Sequence, residues 1–156
     1  MNATTEAPKA YLELRDLKVS FATEDGVVRA ADGVSFSLER GKTLAIVGES
    51  GSGKSVTSQA IMGLHPKRSA TISGEVFVDG TDIVSAPDET VRSMRGRNMA
   101  MIFQDPLSSL HPFYAIGKQL VEAVLVHEDV SKSEATRRAV AMLDRVGIPN
   151  AKQRVK

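Results

Sequence analysis

The segment Gly48–Ser55 constrains the fold of this 156-residue chain more than any other feature. Its sequence, Gly-Glu-Ser-Gly-Ser-Gly-Lys-Ser, matches the pattern G-x-x-x-x-G-K-[ST] of loops that wrap the phosphates of a nucleotide. An apolar run of strand type, Thr43–Val47, precedes it, and a helical pattern, Val56–Leu64, follows it. A loop between a strand and a helix N-terminus is the arrangement that phosphate binding requires, so the sequence predicts an α/β P-loop NTPase. The alternative is a glycine-rich turn that carries a lysine by chance.

The residue types in this loop suit phosphate. Backbone N–H groups of the loop and of the first helical turn converge on the phosphates, and Gly51 and Gly53 have no Cβ to block a close approach. Lys54 is predicted to reach the β- and γ-phosphates and to be a catalytic residue, and the Ser55 hydroxyl is predicted to ligate Mg²⁺. The predicted nucleotide-binding residues of the loop are Gly48, Glu49, Ser50, Gly51, Ser52, Gly53, Lys54 and Ser55.

Composition excludes several classes of protein. A formal net charge of +1 gives no reason to expect a nucleic-acid partner. The chain has no cysteine, which excludes disulfides and thiolate metal sites, and its three histidines are scattered without ligand spacing. No apolar stretch approaches the ~18 residues of a membrane span, and the first residues lack the apolar centre of a signal peptide. Residues 1–10 are predicted to be a flexible tail and residues 11–156 a single, partial domain.

Turn residues and apolar spacing predict the remaining elements. Alternation and the turn Glu24-Asp25-Gly26 predict an antiparallel hairpin, and Asp79-Gly80 predicts a second strand pair. The predicted strands after Gly26 are Val27–Ala30, Val34–Leu38, Thr43–Val47, Thr71–Val78, Thr81–Val84 and a buried strand Asn98–Gln104. The predicted helices are Val56–Leu64, Asp88–Arg97, Ile116–His127 and a last one that opens on the capping box Ser131-x-x-Glu134. Pro106–Pro112 is predicted to be a loop.

Three blocks of sequence together resemble the N-terminal half of an ATP-binding subunit of an ABC transporter, from the peptide and nickel importer branch. They are Ala31–Leu38, Gly48–Ser55 and Met101–Pro112. The last block is similar to the family's Q-loop and the stretch after it, where that branch typically has Ser-Leu-Asn-Pro. Here His111 replaces the Asn. The resemblance implies a partial ABC-type nucleotide-binding domain that includes the start of the helical subdomain, with ATP and Mg²⁺ as ligands.

The resemblance also implies roles for single residues. Gln104 corresponds to the Q-loop glutamine, a catalytic group that approaches Mg²⁺ or the attacking water, although a polar residue at a strand end is the alternative. Phe21 falls where the family places an aromatic ring that stacks on adenine, and an inward-facing hairpin phenylalanine is the alternative. Val56 replaces a hydroxyl residue that touches the α-phosphate in many relatives, and its backbone N–H is expected to donate instead.

The family motifs that follow the Q-loop are absent from these 156 residues. They are the Leu-Ser-Gly-Gly-Gln signature, the Walker B carboxylates and the switch histidine. The resemblance places Thr43–Val47 centrally in a parallel sheet whose adjacent strands follow the signature, so the isolated chain is expected to be poorly soluble or partly unfolded. Because phosphoryl transfer needs the carboxylate and an opposing signature, this chain alone is expected to bind ATP without hydrolysing it.

Two classes of function follow. The first is a truncated ATP-binding subunit of an importer of peptides or a related solute, which the resemblance places at the inner face of the cell membrane in the cytoplasm. Its expected partners are transmembrane permease subunits and a second ATP-binding subunit, with a solute-binding protein involved only indirectly. The second is a stand-alone nucleotide-binding module without hydrolysis. A P-loop kinase is a distant third, because the block around Gln104 has no place in it.

Overall fold

Alternating apolar residues build an antiparallel sheet in this computed structural model, which describes residues 10–104 and 110–155. Its strands are β1 (Leu12–Thr23), β2 (Gly26–Leu38), β3 (Ala70–Val78) and β4 (Thr81–Asp82). They lie in the order β2-β1-β3-β4, and each adjacent pair is antiparallel. The predicted hairpins are confirmed, with β2 running as one strand through both apolar stretches that the sequence indicated.

A bulge in β1 decides which side chains reach the core. The pairing of β1 with β2 and with β3 shifts after Leu14 and Arg15, and Asp16 adopts a positive φ of 48°. Because the shift changes the alternation of the strand, Leu14, Leu17 and Val19 are all buried although the first two are three residues apart. They form a core with Val76 and other residues of the sheet and of the helices that follow.

Asp82 fixes the tight turn between β3 and β4. One carboxylate oxygen accepts from the amides of Val76 and Val84 at 3.2 and 3.1 Å, and the other accepts from the Ser85 hydroxyl at 2.6 Å. Burial raises the pKa of Asp82, but these hydrogen bonds outweigh it and lower the pKa below its ordinary value. The carboxylate is therefore the form that holds this turn.

Three of the predicted helices, the first three in the chain, end two or three residues before the predicted position. The helices of the structure are α1 (Lys54–Ile61), α2 (Asp88–Met94), α3 (Ile116–Leu125), α4 (Lys132–Arg145) and α5 (Ala151–Arg154). Ser131 is confirmed as the N-cap of α4, since its hydroxyl accepts from the amide of Glu134 at 3.2 Å. The Glu134 carboxylate accepts hydrogen bonds from Arg137 and Arg138. The single turn α5 was not predicted, because four residues are too few to show a period. No helix among the described residues has the length and apolar character needed to span a membrane.

The backbone divides into two compact units, residues 1–100 and residues 101–156. The first unit holds the sheet, α1 and α2, and its core contains residues of the sheet and of both helices. The second holds α3, α4 and α5, and its core contains Val121, Ala135 and Ala139. The prediction that residues 11–156 form one partial domain stays a prediction. Most of the predicted tail, residues 1–9, and most of the predicted loop, residues 105–109, lie outside the described residues.

Two predicted strands are absent from the sheet. Residues 42–49 have no regular structure, and Val47 is 93% exposed. Between 98 and 104 only Met99 forms a bridge, with Arg95, and Ile102 is 95% exposed, so the prediction of a buried strand there is wrong. A parallel β-strand makes no hydrogen bonds within itself and forms only when it pairs with another strand. No described strand pairs with either segment.

Candidate functional site: a glycine-rich loop at the start of a helix

The loop at 48–53 turns through two glycines in the left-handed region. Gly51 has φ 83° and Gly53, the N-cap of α1, has φ 85°. A Cβ on Gly53 would lie 2.3 Å from the carbonyl oxygen of Ala30 on β2, and a Cβ on Gly48 would lie 2.6 Å from Ser52 Oγ. Glycine is thus required at 53 both by the backbone angle and by the close approach of β2. The loop is seated against the sheet at this point.

The Lys54 side chain folds back into the loop. Its ammonium group donates to the carbonyl oxygens of Gly48 and Glu49 at 2.7 and 2.6 Å, and to Ser52 Oγ at 3.1 Å. The loop therefore curls around the positive charge of Lys54, and the predicted role of this residue in phosphate binding stays a prediction. A bound anion would join or replace these three oxygens as acceptors of the Lys54 ammonium group.

The N-terminus of α1 is open to an anion. Its N-cap makes no side-chain hydrogen bond, and its first turn contains no acidic residue. The amide of Thr57 bonds to the Gly53 carbonyl at 2.8 Å, which anchors the end of the loop in the helix. Ser55 is exposed in this first turn, where its hydroxyl is accessible to a metal ion. The free N–H groups, the helix dipole and the Lys54 charge all favour phosphate, so the residues present fit a nucleotide with Mg²⁺.

A cavity of about 210 Å³ lies beside the loop in the first unit. Val34 and Phe36 of β2 line it from the sheet, and Ile46 and Val47 line it from the irregular segment. Ser52, Lys54 and the buried Thr57 are among its polar neighbours. The space separates β2 from the apolar run that the sequence predicted to be a strand.

Phe21 lies on β1 opposite Val28 and Ala70. It is half-buried and packs against the core, and it forms an edge-to-face pair with the His65 ring, with the ring centroids 5.4 Å apart and the ring planes at 77°. His65 Nε2 in turn donates to the Val56 carbonyl oxygen at 2.8 Å. Two predicted nucleotide contacts, Phe21 and Val56, are therefore joined through a histidine. In the sequence, His65 is one of three scattered histidines, and only its position before Pro66 distinguishes it.

Gln104 belongs to the second unit and is exposed. Its predicted roles as a catalytic group and metal ligand stay predictions. The other predicted residues, from Phe21 to Val56, all belong to the first unit, where the loop and the start of α1 bring 48–56 together.

Most of the chain matches a known protein family. A family model described as "ABC transporter" matches residues 31–156. The chain belongs to this family. The match begins in β2, includes the loop and α1, and runs through the second unit, so it rests on more than the phosphate-loop motif.

Relatives within the ABC transporter family agree with the branch that the sequence resembles. The chain is 50% identical over 145 residues to the oligopeptide transport ATP-binding protein OppD of Bacillus subtilis, covering 92% of this chain and 40% of that protein. It is 47% identical over 146 residues to the dipeptide transport ATP-binding protein DppD of the same organism, covering 93% and 44%. The chain therefore spans less than half the length of these relatives.

Solved structures confirm the fold class, part of an ABC-type nucleotide-binding domain. A post-hydrolysis state of the ATP-binding cassette MJ0796, bound to ADP and Pi, matches with a TM-score of 0.71 at 22% identity, covering 85% of this chain and 56% of that one. The structure of cbiO1 from Clostridium perfringens, part of the ABC transporter complex cbiONQ, matches with a TM-score of 0.62 at 28% identity, covering 92% and 53%.

Proposed function

We propose that this chain forms part of an ATP-binding subunit of an ABC importer that couples ATP binding and hydrolysis to the uptake of oligopeptides or dipeptides. The observation that carries the nucleotide part is the Lys54 ammonium group, held among the oxygens of Gly48, Glu49 and Ser52 at an uncapped helix N-terminus. The peptide part rests on the names of the relatives that are 44–50% identical.

Each predicted residue has a proposed task in this function. The amides of 48–53, the Val56 amide and the Lys54 ammonium group bind the phosphates and balance their charge. Ser55 and Gln104 hold Mg²⁺, which supplies further positive charge at the phosphates when it is bound. Phe21 stacks on the adenine. The whole nucleotide-binding domain, of which residues 11–156 are a part, lies in the cytoplasm at the inner face of the membrane.

We propose that the permease contact involves the segment that follows Gln104. In the second unit, Phe113 is 89% exposed and Tyr114 is 59% exposed. The Gln119 side chain holds the backbone there, because it accepts from the His111 amide at 2.9 Å and donates to the carbonyls of His111 and Tyr114 at 3.0 and 2.9 Å. Exposed aromatic rings on a fixed backbone are typical of a protein interface.

Nucleotide binding is tested by thermal unfolding with Mg²⁺ and ATP. If the unfolded chain does not bind, ATP at a hundred times its dissociation constant should stabilise the fold by about 2.7 kcal/mol. Lys54→Ala should lose this stabilisation, whereas the control Lys42→Ala, at an exposed lysine before the loop, should keep it. An equal effect of ATP on both variants, or no effect on the unmodified chain, would contradict the proposal.

Hydrolysis and transport need separate tests. The 156-residue chain should release no phosphate above background, because its sequence holds neither the signature nor the Walker B carboxylates. In the source cell, loss of the gene should reduce uptake of a labelled oligopeptide but not of a free amino acid. Restoration of uptake by a gene carrying Lys54→Ala would refute the coupling of uptake to ATP binding at this loop.

A second candidate is a nucleotide-binding module without hydrolysis. It is favoured by the first unit, where the described core cluster consists of residues between Leu14 and Met94 and includes Ala60 of the loop helix α1. A normal peptide uptake after loss of the gene, together with ATP binding by the purified chain, would favour this candidate.

A further inference from the structure

We propose that His65 is a positioning residue that holds the Phe21 ring in a fixed relation to the first turn of α1, and thereby sets the affinity for the nucleoside part of a bound nucleotide. The inference rests on the proposed nucleotide binding and on the proposed stacking of adenine on Phe21. It assigns to His65 a role that neither the loop motif nor the family blocks predict.

Two contacts of His65 carry the inference. Its Nε2 lies 2.8 Å from the Val56 carbonyl oxygen, and because a carbonyl only accepts, Nε2 carries the proton. The same ring forms an edge-to-face pair with Phe21, with 77° between the ring planes and 5.4 Å between the centroids. An edge-to-face pair is the arrangement in which one ring restrains the tilt of another. One side chain therefore links the phosphate end of α1 to the ring proposed for the base.

The backbone on which His65 stands is itself held in place. Gly63, with φ 61°, reverses the chain after α1, and the amide of Leu64 bonds back to the Gln59 carbonyl at 2.9 Å. The Arg95 guanidinium donates to the carbonyls of Met62 and Gly63 at 2.9 and 2.6 Å. Because this backbone is fixed, the His65 side chain can hold the Phe21 ring in place rather than move with it.

The His65 ring and its hydrogen bond to Val56 support Phe21 in different ways. Without the bond to Val56, the His65 ring is free to turn away from Phe21, and without the ring, Phe21 loses its lateral support. Both losses leave the loop itself and Lys54 unchanged. His65 should therefore affect ligands that carry a base and leave the bare polyphosphate unaffected.

The test compares two ligands, ATP and inorganic tripolyphosphate, each with Mg²⁺, by calorimetric titration. His65→Leu should weaken ATP binding about twofold to tenfold, the range expected for loss of an edge-to-face ring pair. Tripolyphosphate binding should not change. Lys67→Leu, two residues along the same connection and exposed, is the control and should alter neither affinity.

A double-mutant cycle isolates the route of the effect. If His65 acts through Phe21, adding His65→Leu to Phe21→Ala should weaken ATP binding no further. His65→Gln keeps a donor for the Val56 carbonyl without the ring, so it should fold as the unmodified chain does and still show the selective loss of ATP affinity. It keeps the test valid if His65→Leu fails to fold.

The outcomes separate the two proposals. An equal loss of ATP and tripolyphosphate affinity in both His65 variants would overturn the role of His65 while leaving nucleotide binding established. Additive losses in the double variant would also overturn it. An unmodified chain that binds neither ligand would refute the proposed function and this inference together.

Discussion

Substitution of Gly53 by alanine is the sharpest test of how the loop is built. Two separate costs act at this position, namely the left-handed φ of 85° and a Cβ that would lie 2.3 Å from the Ala30 carbonyl oxygen. The first costs about 1–2 kcal/mol for a residue with a side chain. The second forces the loop or β2 to move, which typically costs about 1–3 kcal/mol. We expect Gly53→Ala to lower the free energy of unfolding by about 2–5 kcal/mol.

Gly51 supplies a matched control in the same loop. Its φ of 83° is nearly the same, but a Cβ there would lie within 4 Å of no heavy atom of the described residues other than its chain neighbours. Gly51→Ala should therefore show only the conformational cost of about 1–2 kcal/mol. The difference between the two variants measures the contact between the loop and β2.

Urea denaturation without nucleotide, followed by circular dichroism, measures both variants. The midpoint should fall further for Gly53→Ala than for Gly51→Ala, with similar slopes if the denatured state is unaffected. Equal free energies of unfolding would refute the reasoning, because they would show that the loop does not press against Ala30 in solution.

Four further predictions concern contacts outside the loop. Arg95→Met removes the donor to two carbonyls after α1, so urea denaturation should show a loss of about 1.5–3 kcal/mol, and a loss below 0.5 would contradict the geometry. Asp82→Asn should cost about 1–3 kcal/mol at pH 7, with Asp88→Asn, at an exposed ion pair, as the near-neutral control. Arg137 and Arg138 donate hydrogen bonds to Glu134 and lower the pKa of its carboxyl group from 4.5 to about 2. The stabilising effect of the Glu134 carboxylate is therefore complete above pH 4.5 and disappears as the pH falls to about 2. Carbon-detected NMR titration should place the midpoint of this carboxyl below those of exposed glutamates, and a midpoint near 4.5 would exclude the ion pairs. Phe113→Ser should reduce co-purification with the permease without changing ATP binding, and unchanged co-purification would exclude this residue from the interface.

Local signals predicted the elements that are stabilised by local contacts. The turns at Asp25-Gly26 and Asp79-Gly80 each join two adjacent antiparallel strands, so the turn residues were enough to predict that those strands pair. The N-cap hydrogen bond of Ser131 likewise involves residues only three apart. In each case the partner lies within a few residues.

The predictions failed where the partner is distant. The apolar run 43–47 has the composition of a strand, but composition does not supply the neighbouring backbone that a strand needs. His65 was missed for a related reason, because its contacts with Val56 and Phe21 depend on the reversal at Gly63 and on the position of the sheet. The loop residues were found because their chemistry is specified by one contiguous motif.

The unequal anchoring of the phosphate loop has a thermodynamic consequence. Its C-terminal side continues into α1, whereas its N-terminal side continues into residues 42–47, which no described strand pairs. If nucleotide binding orders that segment, the entropy lost reduces the affinity for the nucleotide. Any polypeptide that pairs with 43–47 would remove this cost in advance and so tighten nucleotide binding. By reciprocity, the nucleotide would strengthen the pairing by the same factor, which makes a strand partner and ATP positive effectors of each other.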